Sequence, residues 1–202
     1  MAWFESHLNG GGGGSTRVPS MLGFYSRNIN TIGSLSHTFA EGGKIQFVSF
    51  ILYGDGGTLS DPTFELNGTA ITPTKYTIGT ETHDAYFYGE LTVEENDVLT
   101  MTNAVAVYNS GMQLAVMKDA DLSLFSHIGR SHNDSTTFAL PNDEWVLQMY
   151  ASGYWNSYNT NNCMISKPFV SYNTNGQNYQ SSIPTPSGYQ PCYYGYTWAV
   201  TI

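Results

Sequence analysis

The chain has 202 residues, a net charge of −9 and 11% charged residues, whereas a typical soluble domain has about 25%. Its seven Lys and Arg form no basic cluster, so we expect neither nucleic-acid binding nor docking on anionic lipid. The sequence also lacks an apolar run long enough for a membrane-spanning helix and the basic start and apolar core of a secretory signal, so we expect no membrane insertion.

The first 20 residues, MAWFESHLNGGGGGSTRVPS, join two aromatic residues to a run of five glycines. A glycine run has no preferred conformation, so it acquires a fixed shape only where other surfaces confine it. We therefore predict that residues 1–20 are an anchoring arm, and the alternative is a plain flexible tail. The predicted anchor residues are Trp3, Phe4, Leu8, Gly10, Gly11, Gly12, Gly13 and Gly14.

Alternation at period two, which is typical of β-strands, dominates residues 21–202. In KIQFVSFILY, residues 44–53, apolar side chains occupy both faces, so this strand is predicted to be buried on both sides. Asn67-Gly68 predicts a hairpin, because this pair supplies the two positive φ values of a type I′ turn. DAYFYGELTV and DVLTMT are predicted strands joined by the polar turn EEN.

The later segments QLAVMK, DLSLFS and EWVLQMYAS are also predicted strands, whereas SHIGRSHNDS is predicted to be a turn. The final stretch, CYYGYTWAVTI, places Val200 and Ile202 on a bulky face that alternates with small residues. We predict roughly nine to eleven short strands and an all-β fold, an antiparallel β-sandwich of the jelly-roll type. Residues 21–202 are predicted to be one domain.

The stretch from Ser152 to Pro191 contains no Asp or Glu and is rich in Asn, Tyr and Trp. This composition suits adaptable recognition loops, and it also suits neutral sugars. Contact with a sugar or receptor, contact between subunits, and plain polar loops all remain open. The predicted contact residues are Tyr154, Trp155, Asn156, Tyr158, Asn161, Tyr172, Asn175 and Tyr179.

Catalytic and metal-binding patterns are weak, and we predict a non-enzymatic protein without a cofactor or metal. Cys163 and Cys192 are either a disulfide or two unpaired thiols. Asp55-Gly-Gly and Asp61 resemble a calcium loop only remotely, and His127 and His132 do not have a recognised ligand spacing. The group of Glu90, Glu94, Glu95 and Asp97 could contain a glycosidase pair, but such a pair depends on distances in space, and ordinary surface carboxylates explain it better.

The segment MAWFESHLNGGGGG, followed by a charge-poor β-sandwich that ends in GYQPCYYGYTWAVTI, resembles small virion-associated proteins of tailed bacteriophages in its layout. The resemblance implies a tail-fibre, baseplate or head-decoration subunit that is located in the virion. Its arm would bind other virion proteins, and it would be a homo-oligomer, with a trimer favoured and a cell-surface glycan as a further ligand. The alternative is a free carbohydrate-binding module or lectin-like domain.

Overall fold

The computed structural model describes residues 18–52, 60–77, 83–106, 110–125, 127–132, 138–139, 145–152, 160–166, 179–180 and 195–202. These residues form β-strands and one short 3₁₀ turn, Leu122–Leu124. The strands are β1 (Ser20–Asn28), β2 (Ser34–Thr38), β3 (Gly43–Leu52), β4 (Thr63–Leu66), β5 (Thr69–Ile71), β6 (Thr74–Thr77), β7 (His83–Val93), β8 (Val98–Thr102), β9 (Gly111–Lys118), β10 (His127–His132), β11 (Phe138–Ala139), β12 (Val146–Ser152), β13 (Thr160–Ser166), β14 (Tyr179–Gln180) and β15 (Gly195–Thr201).

The first nine strands form two antiparallel sheets. Sheet A has the order β1-β9-β3-β7-β6, and sheet B has the order β2-β8-β4-β5. If β6 is set aside, sheet A has four strands: β1 pairs with β9, β9 pairs with β3, and β3 pairs with β7. The nested pairing β2-β8-β4-β5 completes the pattern, which is that of a jelly roll. The prediction of an antiparallel β-sandwich is confirmed.

Sheet A is a central layer with a core on each face. Toward sheet B, its Phe47 and Leu114 pack with Leu99 and Met101 of β8, and all four side chains are fully buried. The opposite face packs against a third sheet, sheet C, whose order is β10-β15-β12-β13. The second core contains Val48, Phe50, Ala85, Ala115 and Met117 of sheet A together with Leu147, Met149, Val200 and Ile202.

The three layers confirm the prediction that KIQFVSFILY is buried on both sides. Ile45, Phe47 and Ile51 lie in the core toward sheet B, and Val48 and Phe50 lie in the core toward sheet C. The sequence had predicted a sandwich of nine to eleven strands, whereas fifteen strands are found in the described part of the chain. The remaining strands include β11 and β14, which form a separate two-stranded ladder.

The Asn67-Gly68 hairpin prediction is also confirmed, with φ values of 51° and 76° at the two residues. The Asn67 side chain binds the β7–β8 turn: its Nδ2 donates to Asp97 Oδ1 at 2.6 Å, and its Oδ1 accepts from the Val98 amide at 2.8 Å. The pKa of Asp97 is lowered by the hydrogen bond from the Glu94 amide and then by the one from Asn67. Asn67 therefore connects two turns at one end of the sandwich.

Two local predictions are wrong. DLSLFS is not a strand, because Asp121 Oδ1 accepts a hydrogen bond from the Ser123 amide at 3.1 Å and stabilises a 3₁₀ turn. The segment from His127 to His132 is not a turn but strand β10, which pairs with β15. That pairing is long-range, and the local composition, with Gly129 inside the segment, does not indicate it.

Phe47→Ala and Phe50→Ala test the two-sided burial of sheet A. Phe47 is 0% exposed toward sheet B and Phe50 is 2% exposed toward sheet C, so each substitution is expected to lower the free energy of unfolding by about 3–5 kcal/mol. The exposed Ile32, changed to Ala, is the control and is expected to cost less than about 0.5 kcal/mol. Urea unfolding measures all three, and a Phe50→Ala effect as small as the control would contradict the packing of sheet C on sheet A.

Candidate functional site

Most residues predicted from the sequence to form sites lie outside the described residues. This applies to the whole predicted anchor, from Trp3 to Gly14, and to six of the predicted contact residues. The backbone places Asn161 in β13 opposite Ala151, and Tyr179 in β14 opposite Ala139. The anchor and the contact surface therefore stay predictions. The six contact residues outside the described part are Tyr154, Trp155, Asn156, Tyr158, Tyr172 and Asn175.

A charged cluster lies at the open edge of the sandwich, and we call its members Asp61, Lys75, Asp84 and Tyr86 the Lys75 cluster. Lys75 Nζ is 2.6 Å from Asp61 Oδ1 and 3.0 Å from Asp84 Oδ2. The Asp84 side chain is only 6% exposed, whereas that of Asp61 is 61% exposed. A single ammonium group therefore neutralises one buried and one exposed carboxylate.

The pairing of β6 with β7 assembles this cluster. Lys75 lies directly opposite Tyr86, and Thr77 lies opposite Asp84, so Lys75, Tyr86 and Asp84 share one face of sheet A. The Tyr86 hydroxyl donates to Asp61 Oδ1 at 2.9 Å, and Lys75 Nζ lies 5.8 Å from the centre of the Tyr86 ring. Both bonds to Asp61 bring this carboxylate from the loop before β4 onto sheet A.

The titration of the cluster follows from these bonds. The hydrogen bond from Lys75 and, less strongly, the one from Tyr86 lower the pKa of Asp61. The hydrogen bond to Asp61, and then that to Asp84, raise the pKa of Lys75. The carboxylate and the ammonium group therefore stay charged across the neutral pH range.

The Lys75 cluster borders a pocket of about 360 Å³, which we call the edge pocket. It lies between β5, at the edge of sheet B, and β6, at the edge of sheet A, and the connection Thr72–Pro73 forms part of its wall. Its polar lining residues include Asp61, Thr63, Thr72, Lys75 and Tyr86. Its apolar lining residues are Pro62, Phe64, Ala70, Ile71 and Pro73.

A second pocket, of about 510 Å³, lies over a β-bulge in β7 and is lined by Gln46, Phe87, Gly89, Glu90 and Asp121 among others. Its polar groups already have structural partners. Glu90 is 2.7 Å from Lys44 Nζ, Asp121 accepts from Ser123, and Gln46 Oε1 accepts from the Ala120 amide at 3.1 Å. The edge pocket is the better candidate site, because its charged groups line the cavity as one network.

The weaker hypotheses drawn from the sequence gain no support from the described residues. Asp61, the end of the proposed calcium loop, is bound to an ammonium group, and no group of three potential metal ligands is found in this part of the chain. Asp97 is bound to Asn67 and to the Glu94 amide, whereas Glu90 binds Lys44. These two carboxylates therefore serve different structural contacts.

His37 is a buried polar residue that sequence reasoning did not single out. The residue is 8% exposed, and its ring lies against Phe39 at a centroid distance of 4.6 Å, with Nδ1 2.8 Å from the Tyr25 hydroxyl. A Cβ on Gly23 would lie 2.6 Å from that same Nδ1, so glycine is needed there to leave room for the ring. Burial lowers the pKa of His37, because desolvation disfavours the imidazolium.

The comparisons with known proteins bring no relative to this site. No family model, no curated protein and no solved structure matches the chain. In the described part of the chain, no helix has the length and apolar character needed to cross a membrane.

Lys75→Met tests the charge balance of the Lys75 cluster. Removing the ammonium group leaves the buried Asp84 carboxylate unpaired, so we expect the free energy of unfolding at neutral pH to fall by about 1–3 kcal/mol. Adding Asp84→Asn to Lys75→Met is expected to recover part of that loss, because the buried group is then neutral. Urea unfolding of both single variants and the double variant gives the coupling, and strictly additive effects would rule out the pairing.

His37 is expected to destabilise the fold at acidic pH. Because its pKa is lowered in the folded state from an ordinary value of 6.5, the unfolded chain takes up the proton first. The stability that neutral His37 provides is therefore complete above pH 6.5 and is lost as the pH falls through the depressed folded pKa.

The test compares the unfolding free energy of the unmodified chain and His37→Gln from about pH 8 to pH 5. The other four histidines are present in both proteins, so their titration cancels in the difference. The advantage of the unmodified chain is expected to shrink as the pH falls. A difference that stays constant over this range would contradict the burial of neutral His37.

Proposed function

We propose that the chain is a non-enzymatic structural and adhesion protein of a tailed-phage particle, in which residues 1–20 attach the protein and the β-sandwich is displayed. The main support is that the arm and the edge pocket lie at opposite edges of sheet A. The arm leads directly into β1, which is one edge strand of sheet A, and the edge pocket lies beside β6, the opposite edge strand. Four strand spacings of about 4.8 Å separate these edges by about 19 Å. An arm fixed to a particle would therefore join the sandwich at the edge opposite the pocket.

The outer face of sheet B supports subunit contacts. We call it the hydroxyl face, and its hydroxyl side chains are Ser34, Ser36, Thr38, Thr63, Thr100 and Thr102. Ser34 Oγ and Thr102 Oγ1 are 2.7 Å apart, and Ser36 Oγ and Thr100 Oγ1 are 3.1 Å apart. The charged side chain among the strand residues of this face is Glu65. Hydroxyls that already bond to each other cost little to desolvate, so a neighbouring subunit could cover this face.

A free carbohydrate-binding module is the second candidate, and the edge pocket is the observation that favours it. Carbohydrate sites combine apolar walls with a few convergent polar groups, and the edge pocket has both. The hydroxyl face, in contrast, has no aromatic side chain among its described strand residues. The two candidates differ in whether residues 1–20 are needed for attachment to a larger assembly.

Deletion of residues 1–14 tests the proposed attachment. In particles assembled from a phage genome that encodes this chain, the deletion is expected to abolish incorporation, because Trp3, Phe4 and the glycines would no longer bind the particle. Immunoblotting of purified particles measures incorporation. The control is Ile32→Ala, a change at an exposed side chain outside the arm, and it is expected to leave incorporation intact. Normal incorporation of the arm deletion would contradict the proposal.

A further inference from the structure

We propose that the edge pocket binds a neutral saccharide through Asp61 and Lys75. This inference names a ligand class for the proposed adhesion function. It rests on that proposed function, in which the bound saccharide would belong to a cell-surface glycan.

The charge pattern of the pocket disfavours ionic ligands. Lys75 Nζ lies 2.6 Å and 3.0 Å from the carboxylates of Asp61 and Asp84, so it already occupies the position that a bound cation would take. A metal ion or a ligand ammonium group would have to displace it or bear its repulsion. An anion, in turn, would meet two carboxylates for one ammonium. A ligand without charge avoids both penalties.

The polar atoms of the edge pocket favour a ligand whose groups both donate and accept hydrogen bonds. In the described part of the chain, the bonds from Lys75 and Tyr86 to Asp61 both end on Oδ1. The Asp61 side chain is 61% exposed, so Oδ2 is available to accept from a ligand hydroxyl. Lys75 contacts two carboxylates and carries three N–H groups, so it has a further N–H for a ligand oxygen. Neighbouring sugar hydroxyls can satisfy both requirements together.

The apolar walls of the pocket match the C–H faces of a sugar ring. Pro62, Ile71 and Pro73 present aliphatic surface, and the C–H faces of a pyranose are apolar in the same way. A volume of about 360 Å³ is at the small end of the range for ligand sites, which suits one or two sugar rings. The walls come from strands β4 to β7, the Thr72–Pro73 connection and the two residues before β4, and the Asp61–Lys75 pair is already formed, so little ordering cost is expected on binding.

The experiment titrates the purified full chain with a saccharide panel at millimolar concentrations and follows backbone amide shifts by NMR. The panel contains neutral hexoses and N-acetylhexosamines, with sialic acid as the anionic arm and a simple alkylamine as the cationic arm. We expect at least one neutral saccharide to shift the amides of Thr63, Thr72 and Lys75. Asp61→Asn is expected to weaken that binding about tenfold, because it removes a charged acceptor.

Glu65→Gln is the matched control, because Glu65 lies two residues beyond Thr63 in β4 and does not line the pocket. It is expected to bind like the unmodified chain, and thermal unfolding verifies that both variants are folded. Three results would each overturn the proposal: no shift with any neutral saccharide, unchanged binding by Asp61→Asn, or preferential binding of sialic acid or the amine.

This assay is independent of the particle, so the two proposals fail separately. If no saccharide binds but incorporation depends on the arm, the proposed ligand class is wrong and the proposed virion function stands. If saccharide binding depends on Asp61 but incorporation does not depend on residues 1–14, the proposed attachment through the arm is wrong. The second result would support the free carbohydrate-binding module.

Discussion

The two-sided burial of sheet A is the constraint on which the rest of the structure depends. Strands β1 to β9 close a jelly roll, but they bury only one face of this sheet. The other face carries Val48, Phe50 and Met117, and leaving such side chains in water would cost about 1.5–3 kcal/mol each. Sheet C removes this cost, and it does so with residues from β12 and β15, which lie far along the chain from β3. The described strands β12 and β15 therefore contribute to the core, and the chain after residue 118 is more than a set of surface loops.

Sequence patterns reveal those features whose cause is local or periodic. The alternation in KIQFVSFILY shows two apolar faces, and Asn67-Gly68 shows its turn, because both signals lie within a few residues. The third layer is not visible in the same way, since alternation shows that a face is apolar but not what covers it. Asp121 shows the converse case: its side chain bonds to the Ser123 amide, and this local bond prevails over an alternating pattern that suggested a strand.

Sequence patterns do not reveal the edge pocket, because its residues meet through the β6–β7 register and through the hydrogen bonds that Lys75 and Tyr86 make to Asp61. Asp61 was considered as a calcium ligand, whereas Lys75, Asp84 and Tyr86 had no motif to connect them. A usable signal was nevertheless present. Lys75 is the only Lys or Arg between Lys44 and Lys118, and acidic residues lie on either side of it in the sequence. A lone cation among carboxylates is expected to be shared between them once pairing brings them together, and the opposition of Lys75 and Tyr86 does so.

The small number of charges also explains how the surfaces of the protein differ. Lys44, Lys75 and Lys118 each bind a carboxylate, at 2.7 Å, 2.6 Å and 3.0 Å, so these cations are paired with the protein's own acids. A surface whose cations are already paired has little long-range attraction for phosphates or acidic partners. Recognition by the described surface must then depend on short-range hydrogen bonds and apolar contact. The hydroxyl face offers hydrogen-bonding groups, and the edge pocket offers polar and apolar groups together in a cavity. A face of hydroxyl groups with Glu65 as its charged side chain suits a subunit that packs against copies of itself, and a cavity suits a small uncharged ligand. The two surfaces meet at Thr63, which belongs to both, so a subunit that covers the hydroxyl face must leave the pocket side of β4 open for the ligand.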